Sequence, residues 1–260
     1  MPHVSYSEIK NWHQCPFYHK LTYIDRVKLF EGNEFTAFGK AVHSTCEEIF
    51  VPTEEGELNL ELYFKKAFLK ELKDLPETHK KKADLILQMK EQGTVIVKNV
   101  LSAVYDYFGE DVEIVEVEES LMEPIKDFVD AEYNFKGFVD AVFKTSDGKY
   151  HIVDWKTCSW GWDRDKKNDK ITTYQLTFYK YFYALKHKID PRKIETHFAL
   201  LKRTAKKNHV ELFRVTSGNK KTQNAVKLLT KALYNINNKN YFKNRLACGK
   251  CEFNNTKHCP

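Results

Sequence analysis

The sequence predicts an α/β sandwich, a mixed β-sheet flanked by helices, and three observations carry that expectation. Helical periodicity fills the chain before Gly109. Strict apolar and polar alternation then sets in, broken by a turn-forming Asp147-Gly148 pair. Helical spacing returns over 171–188, followed by two more strands and a last helix. With 260 residues, 42% hydrophobic and 14% aromatic, the chain can bury one substantial core, so residues 1–260 are read as a single domain.

From Ser7 to Lys20, Ile9, Trp12, Phe17 and Tyr18 recur at mixed helical spacing, which predicts a short helix broken near Pro16, with Cys15 at the break. Phe38, Val42, Thr45 or Cys46, and Ile49 form one apolar stripe and predict a helix over Phe38 to Phe50. From Leu58 to Phe108 the pattern stays helical and densely charged, with Pro52 and Pro76 as interruptions, so 52–108 is expected to be a helical insertion or lobe. Strands are expected over 112–121, 128–143 and 150–157. The Asp147-Gly148 turn makes the last two a hairpin and sets Asp140 and Asp154 on adjacent antiparallel strands. Strands from Thr196 and His209 and a helix from Ser217 to about Asn238 complete the pattern. Residues 109–216 thus hold the sheet with helix 171–188, and 217–260 a C-terminal helix and a cysteine loop.

Lys and Arg outnumber Asp and Glu by 42 to 36, a formal charge of +6 that suits a polyanion if it gathers on one face and is ordinary solvated surface otherwise. The N-terminus carries no apolar run behind a basic start, so neither a signal peptide nor a membrane partner is expected, and the chain is read as intracellular: cytoplasmic, or in the host cytoplasm if viral. In a reducing compartment, six cysteines with three in the last thirteen residues point to a metal or cluster rather than to disulfides.

The chemistry concentrates in Gly137-Phe138-Val139-Asp140 and Asp154-Trp155-Lys156. An acid and a lysine one residue apart leave a strand on the same side. Two carboxylates a few Å apart repel unless a cation joins them, and hard oxygen donors select Mg²⁺ or Mn²⁺. Lys156 can then position the attacking water or stabilise the charge that develops on a phosphate. The bland reading is a surface ion pair plus a turn cap. Against it stand the nearly continuous apolar neighbours of both acids, since charges in interior strands are costly unless paired or metal-bound.

These residues resemble the PD-(D/E)XK nuclease superfamily and, within it, the RecB-type exonucleases. Gly39 and His43, Gly137 and Asp140, Asp154 and Lys156, and Gln175 and Tyr179 follow the order of that group's four motifs. The resemblance spans from about Ser5 to the C-terminus. It implies a restriction-endonuclease-like sheet and a metal-dependent deoxyribonuclease. It makes Asp140, Asp154 and Lys156 catalytic and His43 a metal ligand with Asp140 and Asp154. Gln175 and Tyr179 would contact the scissile region or the DNA backbone, although Tyr179 could equally pack into the core. Glu47, one helical turn past His43, reaches the same site or the surface.

Cys248, Cys251 and Cys259 supply three thiols near the end, with Cys15 as the natural fourth. The resemblance to AddB-like and CRISPR-adaptation nucleases implies a 4Fe-4S cluster clamping the two termini, though the seven residues between Cys251 and Cys259 are more than that pattern usually has. Zinc would accept the same four thiolates, with His258 as a substitute ligand. Cys46 and Cys158 read as ordinary thiols.

Trp160, Trp162, Arg164, Lys166, Lys167, Lys202 and Arg203 mix cations and rings as single-stranded DNA requires, diluted by Asp163, Asp165 and Asp169. Three readings follow: an exonuclease acting on single strands or DNA ends in recombination, repair or phage DNA processing; a sequence- or structure-specific endonuclease; and a non-catalytic DNA-binding protein of the same fold. Cutting of closed circular DNA separates the first two. No phosphate-cradling Gly-rich Lys loop is present, so unwinding is expected from a helicase or recombination partner.

Overall fold

The computed structural model describes residues 1–51, 59–76 and 82–260. The interruption expected at Pro52 lies outside the described residues. Six strands form one mixed sheet. They are β1 (His3–Ser5), β2 (Glu113–Pro124), β3 (Asn134–Lys144), β4 (Tyr150–Cys158), β5 (Ile194–Lys202) and β6 (Val210–Val215). β2 pairs antiparallel with β3 from end to end. The other edge of β3 is divided: β1 lies parallel to it along Asn134–Lys136, and β4 antiparallel along Ala141–Lys144. β4 runs parallel to β5, and β5 pairs antiparallel with β6.

Helices cover both faces, as a mixed sheet with buried strands requires. One layer holds α1 (Tyr6–Gln14), α7 (Lys170–His187) and α8 (Asn219–Asn237), whose Ile9, Phe178, Phe182 and Leu229 share a core with Phe135, Ile152 and Phe198 of the sheet. The opposite layer holds α3 (Glu34–Ile49), α4 (Leu60–Lys73) and α5 (Ala83–Phe108), packing Val42, Phe64, Phe68 and Ile96 on Phe143, Val153 and Trp155. Gly93 breaks the helical preference of α5 by about 1 kcal/mol relative to Ala, and the reason is contact. A Cβ there would stand 2.0 Å from the ring of Phe64.

Most expected elements appear, with shifted ends. The first helix starts at Tyr6 because Ser5 Oγ accepts the Glu8 N–H, and it breaks at Cys15 before α2 (Pro16–His19) and a π-helical turn over Lys20–Ile24. α3 starts before Phe38, at a capping box in which Asn33 Oδ1 accepts the Thr36 N–H while Thr36 Oγ1 accepts the Asn33 N–H. The strand expected over 128–143 begins only at Asn134. Before it the chain turns, with the Ile125 N–H donating to the Tyr133 carbonyl and Phe128 packed on Tyr133. The hairpin turn forms as expected: Gly148 takes φ +76°, and Asp147 Oδ1 accepts from the Lys149 N–H and the Thr145 hydroxyl. Two elements carry no alternation or stripe of their own, the three-residue β1 and α6 (Arg164–Asn168), which buries no residue. Among the described residues, no helix is long and apolar enough to cross a membrane.

Candidate active site

Between Lys136 and Ala141 one edge of β3 has no paired strand, because β1 and β4 each take only an end of it. Asp140 stands at the inner end of this gap, where the strand also reverses its faces. Phe135 and Val139 join the core under α7, whereas Ala141 and Phe143 join the core under α3. The loss of pairing there frees the Trp155 N–H of β4, and Asp140 Oδ2 accepts it at 2.7 Å. Asp154 is 1% exposed, and Gln175 of α7 donates Nε2–H to its Oδ1 at 2.7 Å. Asp154 Oδ2 is buried, and the Lys156 ammonium forms an ion pair with it.

Burial pushes both carboxyls up to about 6, against the pull of the Lys156 charge on each. For Asp140 the Trp155 N–H also lowers the value and Glu118 raises it; for Asp154 the nearby Asp140 charge raises it. Two acids that resist ionisation beside one lysine, Asp154 buried and Asp140 half-buried, are suited to a divalent cation. His43 of α3 places Nδ1 3.8 Å from Asp140 Oδ2, and burial lowers its value to about 4, which leaves a neutral imidazole with a free lone pair. His43 therefore comes to the acids, the neighbourhood that the resemblance implied for it. The three groups are gathered loosely. They are not among the donor sets lying within 4.8 Å of one another.

Two further acids face Asp140. Glu47, one turn beyond His43, is pushed up to about 7 by burial and by the Glu118 and Asp140 charges. Glu118 of β2 lies across from Asp140 between the register pairs Val117↔Ala141 and Glu119↔Val139, with φ +52°. No motif marks Glu118, because one more acid in an alternating run looks like solvated surface; only its left-handed backbone singles it out.

Gln175 and Tyr179 lie one turn apart on α7 and face the acids, and Gln175 Nε2 stands 3.1 Å from the Tyr179 hydroxyl. Tyr179 is buried, with burial and the Asp154 charge raising its phenol far above the usual range. Tyr179 thus packs into the core, and its hydroxyl meets Gln175 beside Asp154. Gly137 is small for the same reason, since a Cβ would meet the Tyr179 ring at 2.9 Å. Gly39 lets α3 approach β4, with Thr157 Oγ1 3.2 Å from where its Cβ would be. Tyr6, which the sequence did not single out, closes the α1 side and donates its hydroxyl to the Ile171 carbonyl at 3.0 Å.

A cleft crosses this centre. A hollow of about 400 Å³ on one side is lined by Asp140, Phe138 and Tyr179, and one of about 730 Å³ on the other by Lys156, Gln175, Lys10, Lys166 and Trp160. Tyr6 and Ser7 line both. Trp160 is 78% exposed, while Trp162 packs on Phe198 at 5.1 Å. Of the cations expected to face a polyanion, Lys202 is buried and, with Lys167, paired to Glu211. Arg203 donates to Gln92 Oε1 and lies over the Phe35 ring. A cationic strand end with a carboxylate across from it neutralises itself, which alternation does not reveal.

The cysteines meet elsewhere. Cys15, Cys248, Cys251 and Cys259 line one small pocket between α2 and the C-terminal loop. Around it the Phe17 N–H donates to the Phe242 carbonyl, the Asn244 N–H to Cys15 Sγ, and the Tyr18 hydroxyl to Glu252 Oε1. No three of these sulfurs lie within 4.8 Å of one another. Cys46 is buried and Cys158 half-buried, away from that group.

The model of the PD-(D/E)XK nuclease superfamily matches residues 3–259. No curated protein sequence matches the chain. Among solved structures, a protein from Eubacterium rectale named "Putative exonuclease" superposes with a TM-score of 0.57 at 13% identity, covering 96% of this chain and 86% of that one. At that identity the likeness speaks for the fold alone. The structure of SSO0001 aligns over 95% of this chain and 93% of its own at 14% identity, with a TM-score of 0.39 that carries no argument.

Proposed function

This chain belongs to the PD-(D/E)XK nuclease superfamily, and we propose that it is a metal-dependent deoxyribonuclease, acting as an exonuclease on single-stranded DNA or DNA ends in recombination, repair or phage DNA processing. One observation carries the reading: Asp140, half-buried on β3, and Asp154, buried on β4, stand with Lys156 where the two strands part, and a cleft lined by Asp140 on one side and Lys156 on the other runs past them. Asp140, Asp154 and His43 would hold Mg²⁺ or Mn²⁺. Bound there, such an ion supplies Lewis-acid polarisation of the scissile phosphate and a nucleophile at neutral pH. Lys156 orients the attacking water and offsets the charge gathering on the phosphoryl oxygens. Gln175 holds the Asp154 carboxylate in one orientation through its 2.7 Å bond. Lys10, Lys166 and the exposed Trp160 suit a single strand, whose phosphates take cations and whose unstacked bases take rings. A helicase or recombination partner would supply unwinding.

Cys15, Cys248, Cys251 and Cys259 would hold a 4Fe-4S cluster that clamps the chain ends. Zinc would accept the same four thiolates, and it is the family resemblance that favours the cluster. Anaerobically purified protein is then brown with broad visible absorption; a colourless protein with one zinc per chain overturns the cluster.

The test of the activity is digestion of end-labelled single strands and closed circular DNA with Mn²⁺. Shortening of linear strands with circles intact is expected, abolished in a folded Asp154→Ala variant. Cutting of circles makes the chain an endonuclease. Binding without cleavage makes it a DNA-binding protein of this fold.

A further inference from the structure

Three side chains at the other end of β4 and β5 take no part in the cleft. His151 on β4 and Glu195 and His197 on β5 place one donor atom each within 4.8 Å of the others. Among the described residues they are the donor set so gathered. We propose that they form a metal site distinct from the acidic cleft, taking zinc or a similar borderline divalent ion through His151 Nδ1, His197 Nε2 and a Glu195 carboxylate oxygen.

The two inner nitrogens face each other at 3.1 Å. Two imidazoles on one tetrahedral ion at about 2.0 Å place their nitrogens roughly 3.3 Å apart, so the rings are already near the required separation. Their outer nitrogens are backed as in metal-binding histidines, His151 Nε2 by Thr145 Oγ1 at 2.9 Å and His197 Nδ1 by the Tyr107 hydroxyl at 3.3 Å. Thr145 donates its own proton to Asp147 Oδ1 at 2.6 Å, so it accepts from His151, which puts the ring proton on Nε2 and frees Nδ1. Inner lone pairs that close repel unless a proton or a cation stands between them. A shared proton would serve the two rings but leave Glu195 Oε2, the oxygen its ion pairs do not use, outside the group. A cation uses all three.

Charge and burial agree with this assignment. Both histidines are buried, 6% and 2% exposed, and burial first, with Arg214 adding, holds them below the usual imidazole range, in the neutral form that binds metals. For His151, Glu195 and Asp147 pull the other way and Lys149 assists the lowering; for His197, His151 assists it. Lys149 and Arg214 both reach Glu195 at Oε1, which leaves Oε2 without an ion pair. Imidazole donors rank zinc above the hard ions that suit a carboxylate pair. His151 precedes Asp154 by three residues on β4, and with Tyr107 as backing an ion would fasten β4, β5 and the end of α5 together.

The test uses the full chain, stripped by a chelator and titrated with zinc while the imidazole nitrogens of isotope-labelled histidine are followed by NMR. The expected result is that the inner nitrogens of His151 and His197 shift together and saturate. His197→Gln then loses one equivalent of zinc in equilibrium dialysis with its circular dichroism retained, and Tyr107→Phe weakens zinc binding on the order of 10–100-fold. If neither ring responds when zinc has saturated the other sites, the pair shares a proton only and the proposal falls; that measurement needs no variant. Shifts without DNA cleavage, or cleavage without shifts, separate this site from the nuclease reading.

Discussion

The two ends of β4 assemble similar donors to different effect. At the Asp154 end, β3 has parted from β4, the acids take hydrogen bonds from a freed backbone N–H and from Gln175, and the site opens onto a cleft. At the His151 end both neighbours remain paired, Phe143↔His151 and His151↔Glu195, and the donors are packed and backed by Thr145 and Tyr107. Backbone pairing, more than residue type, decides whether such a group admits a substrate or closes on itself. Parted strands leave space and unspent hydrogen bonds; paired strands fix side chains at sheet spacing.

Substitutions at the open end test this contrast, and after the acids themselves, whose loss abolishes cleavage, the largest effect belongs to Lys156. Lys156→Ala is expected to lower the cleavage rate about 10²–10³-fold in single-turnover assays with folding retained, the scale of one lost charge-stabilising donor. An unchanged rate would remove Lys156 from the chemistry. Gln175→Ala should cost roughly 10–100-fold with a rise in the metal concentration needed, because it frees Asp154 rather than removing it. A purely structural Gln175 would alter melting and leave the metal requirement alone. The smallest effect reverses sign. Asp140 and Asp154 lie at about 6 against 3.8 ordinarily, so the folded chain keeps protons that the unfolded chain has released. Metal-free protein therefore loses stability as pH rises through that window, and the loss persists above it. Asp140→Asn, inactive in cleavage, should melt higher than wild type at about pH 8 by on the order of 1 kcal/mol, with the gap closing below about pH 4. A lower melting point across the whole range would show the carboxylate to be a net structural asset.

The open end was the more legible in the sequence. Asp140, Asp154 and Lys156 stand in apolar strands where charge needs a reason, so pattern reached them; His43, Gln175 and Tyr179 were reached only through the family resemblance. What pattern could not reach depends on pairing across the chain. Glu118 enters through a left-handed residue in a strand that otherwise alternates normally. Tyr6 follows a strand too short to show periodicity. Lys202, named among the cations that suit a single strand, is matched by Glu211, nine residues on across a hairpin. His151 and His197, 46 residues apart, become neighbours only because β4 and β5 lie side by side.

The first helix connects two parts of the molecule that share no chemistry. Its start carries Tyr6 and Lys10 on the cleft wall, and its end stops at Cys15, which accepts the Asn244 N–H in the cysteine pocket. Nine residues of helix form a strut of roughly 13 Å, stiff enough to move as a unit. A displacement at the thiol end is thereby passed to the cleft wall at Tyr6 and Lys10, while Asp140, Asp154 and Lys156 are fixed in the sheet.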